Sequence, residues 1–291
     1  MNKYRPYMFK WCVAIRKREG GILNYRGQFH VIDNPVDGWC ADPFLFTYHG
    51  QTYVFAEKYD YKKKRGSIAW LEVREDRMGC WHEAITEEFH MSYPYIWQDV
   101  EGIHICAETN EAHAIVRYTA SDFPMKWKRD KIIYDRNRYA DTTLLFDEKQ
   151  QKTWMFTYGC DGLLNGKLFY TELDAGLNIM SSLKYITKNP KLARPGGAFI
   201  VHEDRLYRVA QDCCESYGRR ISICEVNEIS NMRYAEKLVF QRDYSELKFD
   251  KQINAIGMHT YNCNDQYEVV DLRMRNNDVC SILYYYVKGK L

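Results

Sequence analysis

Short runs of apolar residues alternate with turn-forming residues along almost the whole chain. Most are four to eight residues long and rich in aromatic and β-branched side chains, as in strands, and long stretches of helical periodicity are nearly absent. The runs include "PFLFTY", "TYVFAE", "SIAWLEV", "IHICAE", "TTLLFD", "TWMFTY", "GAFIVH", "RLYRVAQ", "ISICEV", "YEVVDL" and "CSILYYYV". The pattern predicts an all-β protein.

The runs recur in five similar units. Segment 41–60, "ADPFLFTYHGQTYVFAEKYD", aligns with 92–111, "SYPYIWQDVEGIHICAETNE", so that Glu57 falls on Glu108. Units that begin near 140, 193 and 257 repeat the scheme, with slightly longer or shorter hairpins. The residues that open the five units are Asp42, Tyr93, Asp141, Arg194 and His259, spaced by 51, 48, 53 and 65 positions.

Four strands in each of five units predict a five-bladed β-propeller, which we assign to a single domain spanning 1–291. The fifth unit runs short of chain after "CSILYYYVKGK". We therefore expect an N-terminal segment, "KWCVAIRK" or "QFHVID", to supply the missing outer strand and close the last blade, because that closure hides a sheet edge.

Hairpin geometry indicates where the opening residues meet. Two residues of an antiparallel hairpin lie at the same end when their midpoint falls in the turn, as it does for Asp42 with Glu57 and for Tyr93 with Glu108. The first strand of each blade lines the axis of a propeller, so the openers should converge at one mouth of the channel. The group expected there is Asp42, Asp141, Arg194 and His259, with Glu57, Glu108, Gln211 and Asp212 just behind. The alternative is that these polar residues only solvate a wet axis.

Several carboxyl groups in a concave site are the ingredients of glycosyl chemistry, in which one donates a proton and another stays ionised. Asp42 beside Arg194 would keep its charge, which suits a base or nucleophile. A carboxyl crowded by other carboxyls would titrate higher, which suits Glu108 or Glu57, and Asp141 is a further candidate for the proton donor. The candidate substrate-binding residues are Tyr93, Arg194, Gln211, Asp212 and His259, with Tyr95 and Trp97 adding aromatic surface for sugar rings.

Composition and charge exclude some classes of protein. With 291 residues, 46% of them apolar and 27% charged, the chain has an ordinary globular composition, and a net charge of +2 leaves no electrostatic footprint for nucleic acid. No run of about 18 apolar residues indicates a membrane-spanning helix. The first residues lack the hydrophobic stretch and cleavage site of a signal peptide, so we expect a cytoplasmic protein.

Six motifs in order resemble one known family over nearly the whole chain from about residue 37. They are "ADPFLF", "SYPY", "DFPMKW", "DTTLLF", "ARPGGAF" and "GMHTYN", and they are similar to the N-terminal domain of plant glucosamine inositolphosphorylceramide transferases and their bacterial relatives. That domain in turn looks like the five-bladed propellers of arabinanases, xylosidases, invertases and levansucrases.

The resemblance has implications for individual residues. The "D-P" aspartate of blade one is the base or nucleophile in those hydrolases and corresponds to Asp42. They take a second aspartate from blade two and a glutamate acid from blade three, where this chain has Tyr93 and Asp141.

No metal or other cofactor is expected, although a cation near His259, as in some similar propellers, is an alternative. Neither a G-x-G-x-x-G nor a Walker pattern is present, and the glycines of "RPGGAF" are expected to allow close backbone approach at the axis.

Two functions follow from these features. The first is an enzyme that cleaves or transfers a glycosyl unit during cytosolic synthesis of a surface polysaccharide or other glycoconjugate. The second is a non-catalytic module that binds a glycan or sugar conjugate and presents it to a partner glycosyltransferase. The pair Asp42 and Asp141 favours the enzyme, and the absence of a blade-two aspartate favours the binding module.

The cysteines generate the first testable prediction. The ten thiols are scattered without a C-x-x-C pair, and several lie inside strand-like runs, which is typical of reduced buried cysteines. Thiol titration under denaturing, non-reducing conditions should therefore find about ten free groups. Two or more native disulfides would contradict both the reduced state and the cytoplasmic expectation.

Overall fold

Five antiparallel sheets build the described part of the chain. The structure is a computed structural model that describes residues 9–74, 78–135, 138–148, 150–160 and 166–275. The sheets follow one another along the chain and pack as the five blades of a propeller, so the predicted all-β, five-bladed fold is confirmed.

The first three blades are regular four-stranded meanders. In each, the strands run outward from the axis in chain order. Blade 1 comprises β3 (Gly38–Tyr48), β4 (Gln51–Asp60), β5 (Arg65–Val73) and β6 (His82–Ile85). Blade 2 comprises β7 (Ser92–Asp99), β8 (Gly102–Glu108), β9 (Ala114–Asp122) and β10 (Lys126–Asp135). Blade 3 comprises β11 (Tyr139–Asp147), β12 (Lys152–Gly159), β13 (Lys167–Leu173) and β14 (Lys184–Thr187).

Blade 4 has an interrupted innermost strand. Between its two pieces, Gly197 has a φ of 155°, and a Cβ there would lie 2.0 Å from the carbonyl oxygen of Tyr261. Only glycine fits so close a backbone approach, as expected for this motif. The strands are β15 (Arg194–Pro195) and β16 (Ile200–His202), both paired with β17 (Arg205–Asp212), followed by β18 (Arg220–Ile229) and β19 (Tyr234–Arg242).

Blade 5 joins the two ends of the described chain. Both N-terminal candidates contribute: one forms the third strand and the other the outermost strand, so the predicted closure is confirmed. The segment "CSILYYYVKGK" lies outside the described residues. The strands, from the axis outward, are β20 (Ala255–Gly257) and β21 (Tyr261–Cys263), both paired with β22 (Tyr267–Arg275), then β1 (Phe9–Lys17) and β2 (His30–Val31).

Apolar faces of neighbouring blades pack together and form most of the core, with fully buried side chains such as Phe55, Ile105 and Trp154. The described helical segments are two short 3₁₀ turns at Asn110–Ala112 and Tyr244–Glu246. Within the described ranges, no helix has the length and apolar character needed to cross a membrane.

Closure by β1 can be tested with one buried position. Val13 is 0% exposed in the middle of this strand, so Val13→Asp should lower the free energy of unfolding by about 3–5 kcal/mol, the cost of an unpaired buried charge. Chemical denaturation would measure it. Lys17→Asp places the same residue at the exposed end of the strand and should change stability by no more than about 0.5 kcal/mol. Equal effects of the two changes would show that β1 is not integral to blade 5.

Candidate active site

A β-bulge in the innermost strand turns a side chain in each of three blades. Asp42, Tyr93 and Asp141 have φ angles of 51°, 48° and 50°, and the strand pairing skips two residues at each position. A non-glycine residue with positive φ is uncommon, and bulges re-aim side chains next to functional sites. The same distortion at the same place in three blades therefore marks the mouth of the axis.

The first cluster joins blades 5 and 1. Oδ2 of the fully buried Asp271 lies 2.6 Å from Nδ1 of His259 and accepts a hydrogen bond from the backbone N–H of Asp42 at 3.0 Å. Asp42 accepts hydrogen bonds from the Thr260 hydroxyl at 2.7 Å and from the Tyr93 backbone N–H at 3.2 Å. Its Oδ1 lies 3.6 Å from Nε2 of His259. The imidazole is thus held between two carboxylates.

These contacts set the charges of the cluster. Burial raises the pKa of Asp42 to about 6, against the opposing attraction of His259. Burial also acts on Asp271, but His259 and the hydrogen bonds outweigh it and lower the pKa of that carboxyl. For His259, burial is outweighed by Asp271 and Asp42, so its pKa lies above the usual value. These shifts favour an imidazolium between the carboxyl groups of Asp271 and Asp42.

Aromatic rings fix the position of this imidazole. The Trp11 ring stacks on His259 with centroids 3.9 Å apart and planes at 17°, and Tyr217 meets His259 edge-on at 5.1 Å. Gly218, with a φ of 60°, brings its loop so close that a Cβ would lie 2.8 Å from the Trp11 ring. The N-terminal strand therefore contributes directly to the site.

The second cluster joins blades 2, 3 and 4. Nε of Arg194 donates to Oδ2 of the buried Asp141, and an Arg194 Nη2 lies 3.6 Å from Oε2 of Glu108. Gln211 donates to the same Asp141 oxygen at 3.2 Å and to the carbonyl of Pro195 at 2.8 Å. Arg194 also lies 4.9 Å above the Tyr217 ring.

Two glutamates have strongly raised pKa values. For Glu108, burial is the main cause, followed by repulsion from Asp141, with the attraction of Arg194 opposing both. For Glu57, burial is again the main cause, and the carboxylates of Asp42 and Glu108 add to it. Both pKa values lie well above the usual 4.5, so both residues favour the neutral acid.

Two of the predicted substrate-binding residues make buried contacts that hold the blades together. Tyr93 is 0% exposed, and its hydroxyl contacts Thr143 at 2.9 Å and both backbone groups of Gly197, so its ring is a buried strut across the axis. Asp212 is 0% exposed and accepts hydrogen bonds from Arg220 and Gln241, both at 2.8 Å. Its position next to Gln211 puts it on the opposite face of β17, so it does not join the mouth.

Asp271 and Trp11 are site residues that the repeat pattern alone does not reveal. The hairpin midpoint could have found the first, because the midpoint of His259 and Asp271 falls at 265, in the turn between β21 and β22. No pattern in the sequence indicates that Trp11, about 250 positions away, would stack on His259.

The first cluster also bears on the axial cation. Potential ligand atoms of Asp42, His259 and Asp271 lie within 4.8 Å of one another. Nδ1 of His259 and both oxygens of Asp271 already take part in hydrogen bonds within the cluster. The arrangement as it stands suits carboxylate–imidazole chemistry, and a cation near His259 stays a prediction.

Comparisons with known proteins agree with the sequence motifs. The profile of the family described as "Glucosamine inositolphosphorylceramide transferase 1, N-terminal" matches residues 31–269. Curated proteins called glucosamine inositolphosphorylceramide transferase 1 from Arabidopsis thaliana and Oryza sativa subsp. japonica are 27% identical over 234 residues and 25% identical over 208 residues. The matches cover 77% and 68% of this chain but 29% and 27% of those relatives, so the chain spans less than a third of their length.

Solved structures share the fold at low sequence identity. An α-L-arabinofuranosidase from Podospora anserina in complex with cellotriose has a TM-score of 0.61 at 11% identity, covering 93% of this chain and 98% of that one. An exo-1,5-α-L-arabinanase from a bovine ruminal metagenomic library has a TM-score of 0.53 at 13% identity, covering 82% and 94%. The likeness extends over most of each chain and shows a common propeller architecture.

The His259 and Asp271 pair yields a pH prediction. Asp271→Asn should lower the pKa of His259, because it removes the strongest attraction that favours the imidazolium. Since the folded pKa is raised, the stability that this pair contributes is complete below about pH 6.5 and is lost as pH rises through the folded pKa. The variant should lose that dependence.

Proton NMR titration of the His259 ring, assigned with His259→Gln, would measure the change. Asp250→Asn removes the exposed partner of His30 and serves as the control, because it should leave the His259 titration unaltered. A His259 pKa that does not move in Asp271→Asn would contradict the charge assignment.

Proposed function

Since the chain belongs to the family of glucosamine inositolphosphorylceramide transferase 1 N-terminal domains, we propose that it is a carbohydrate-active propeller that cleaves or transfers a glycosyl unit by carboxylate acid–base chemistry. The observation that carries the proposal is the different surroundings of two buried carboxyl groups at one mouth: Asp42 lies 3.6 Å from Nε2 of His259, and Glu108 lies 3.6 Å from an Arg194 that already pairs with Asp141. Asp42 favours the ionised form beside His259, whereas Glu108 favours the neutral acid beside Asp141. Pairs of carboxyls with separated pKa values are how glycosyl-transferring sites divide acid and base roles.

The roles follow from these charges. Glu108 donates its proton to the leaving oxygen as the bond from that oxygen to the anomeric carbon breaks. Asp42 either takes a proton from the attacking hydroxyl or attacks the anomeric carbon itself. His259 and Thr260 hold Asp42 in place, and Arg194 holds Asp141 beside the acid.

A specific observation favours a second function. The blade-two opener, Tyr93, is a buried strut and supplies no carboxylate. The chain also spans less than a third of relatives whose name is that of a transferase. Both facts suit a glycan-binding module that presents a sugar acceptor to a glycosyltransferase partner. Under either function, the cytosolic setting and a role in surface-polysaccharide or glycoconjugate synthesis are part of the proposal.

Replacement of Asp42 separates the two functions. Asparagine tolerates positive φ better than most residues, so Asp42→Asn keeps the bulge and removes the charge. An enzyme should lose about a thousandfold or more in turnover yet still bind its glycan. Release of nitrophenol from a panel of nitrophenyl pentosides and hexosides would measure turnover, with Asp204→Asn, an exposed turn residue with a φ of 59°, as the matched control.

The opposite results are equally informative. If the wild-type protein turns over none of the panel, and Asp42→Asn restores a deletion strain as well as wild type does, the catalytic function is wrong and the binding module stands. Equal losses in Asp42→Asn and Asp204→Asn would indicate misfolding at the turns instead of chemistry at the mouth.

A further inference from the structure

A histidine and two carboxyl groups meet at the end of blade 2 that lies opposite the mouth. Asp99 ends β7, Glu101 lies in the turn that follows, and His104 lies in β8. One possible ligand atom from each of the three side chains lies within 4.8 Å of the other two. The imidazole is 0% exposed, whereas both carboxyl groups reach solvent, so the cluster has a buried inner side and an open outer side.

The contacts of His104 determine which of its ring nitrogens carries a hydrogen. Asp130 pairs with two nitrogens of Arg117, at 2.8 and 3.3 Å, so its carboxylate is an acceptor. The Thr119 hydroxyl lies 2.7 Å from Asp130 and donates its single hydrogen to that carboxylate. Thr119 therefore accepts from Nδ1 of His104, which is 2.7 Å away. A neutral His104 then has its hydrogen on Nδ1 and a lone pair on Nε2.

That lone pair faces a second acceptor atom. Nε2 of His104 lies 2.9 Å from Oδ1 of Asp99, which already accepts a hydrogen bond from the Glu101 backbone N–H at 2.8 Å. Two acceptors this close repel each other unless they share a positive charge, which is either a proton on the imidazole or a metal ion. Atoms 2.9 Å apart, each about 2.1 Å from a metal, subtend about 90°, the angle of six-coordinate geometry. The cluster thus has the spacing of metal ligands as it stands.

The surroundings favour the metal ion over the proton. Within these contacts, three carboxylates stand against the single guanidinium of Arg117, which also contacts Glu101 at 3.0 Å. A divalent cation neutralises both of the charges that remain, whereas a proton neutralises one. Metal-binding imidazoles also donate their other ring N–H to a fixed acceptor, and here Thr119, held by Asp130, is that acceptor.

We propose that His104, Asp99 and Glu101 form a binding site for a divalent transition-metal ion of the zinc type, which stabilises the β7–β8 hairpin. An imidazole nitrogen combined with carboxylate oxygens suits zinc, whereas calcium takes oxygen ligands. The open outer side leaves positions for water as further ligands. The site shares no residue with the cluster around His259 and does not depend on the proposed carbohydrate function.

Zinc binding to the tag-free full chain tests the proposal. Isothermal titration calorimetry with zinc chloride, in the presence of a phosphine reductant, should show about one equivalent bound with micromolar or tighter affinity, and calcium chloride should give no such site. Asp99→Asn and Glu101→Gln should each weaken zinc binding at least about tenfold. Zinc should also raise the melting temperature of wild type but not of these variants.

Two control variants separate this site from other acidic groups. Glu148→Gln changes an exposed residue in the corresponding hairpin turn of blade 3 and should bind zinc as wild type does. Asp42→Asn removes a carboxylate of the mouth cluster and should also leave this zinc equivalent in place. Asp99 and Glu101 both reach solvent, so their replacement tests binding and leaves the core intact.

The opposite results overturn the proposal. If wild type binds no zinc, a proton joins His104 to Asp99 in an ordinary ion pair. Equal zinc binding by wild type, Asp99→Asn and Glu101→Gln assigns the metal to other groups, such as the exposed thiols. Loss of the zinc equivalent in Asp42→Asn alone assigns it to the mouth, and calcium binding as tight as zinc binding contradicts the assigned class of metal.

Discussion

The cost of removing carboxylates from water is the constraint on which the centre of this propeller depends. Asp42, Asp141 and Asp271 are at most 4% exposed, and a buried ionised carboxylate is stable only when it is paired and hydrogen-bonded. The partners come from neighbouring blades: Asp271 of blade 5 accepts from the Asp42 backbone of blade 1, and Asp141 of blade 3 accepts from Arg194 of blade 4. The contacts that define the site therefore also hold neighbouring blades of the propeller together.

Backbone strain at the bulge residues is a second constraint on the centre of the propeller. A residue held at positive φ costs about 1–3 kcal/mol, less for aspartate than for a large aromatic residue. At Tyr93 the strain is offset by full burial, an edge-on contact with Phe44 at 4.8 Å and hydrogen bonds from its hydroxyl to two other blades. The bulge position of blade 2 is occupied by Tyr93 and not by an aspartate. The carboxyl group of that blade therefore comes from its second strand, at Glu108.

Much of this arrangement could be predicted from the sequence, because the strand repeat and the hairpin midpoints are local properties. The five blades, the closure by the N-terminal strands and the convergence of Asp42 with Asp141 all follow from them. The errors concern faces of strands: Gln211 and Asp212 are adjacent in sequence and lie on opposite faces of β17. The predicted alignment of Arg194 is also off by one residue. Arg194 pairs with Gln211 in blade 4 as Ala41 pairs with Glu57 in blade 1, so Arg194 corresponds to Ala41 and not to the bulge residue Asp42.

The division of the site into two halves explains how its carboxyl groups can differ in role. In the half formed by blades 5 and 1, His259 lies between Asp271 and Asp42, so the imidazole favours the ionised form of both carboxyls against the effect of burial. In the other half, Arg194 makes its close contact with Asp141 and lies 3.6 Å from Glu108, so its attraction is shared unequally. Burial and repulsion from Asp141 raise the pKa of Glu108, so it is the carboxyl that favours the neutral form. The acid role in the proposed reaction therefore falls to Glu108 of blade 2, because Arg194 lies closer to Asp141 than to Glu108. Blade 2 supplies this acid even though the residue that opens it, Tyr93, carries no carboxylate.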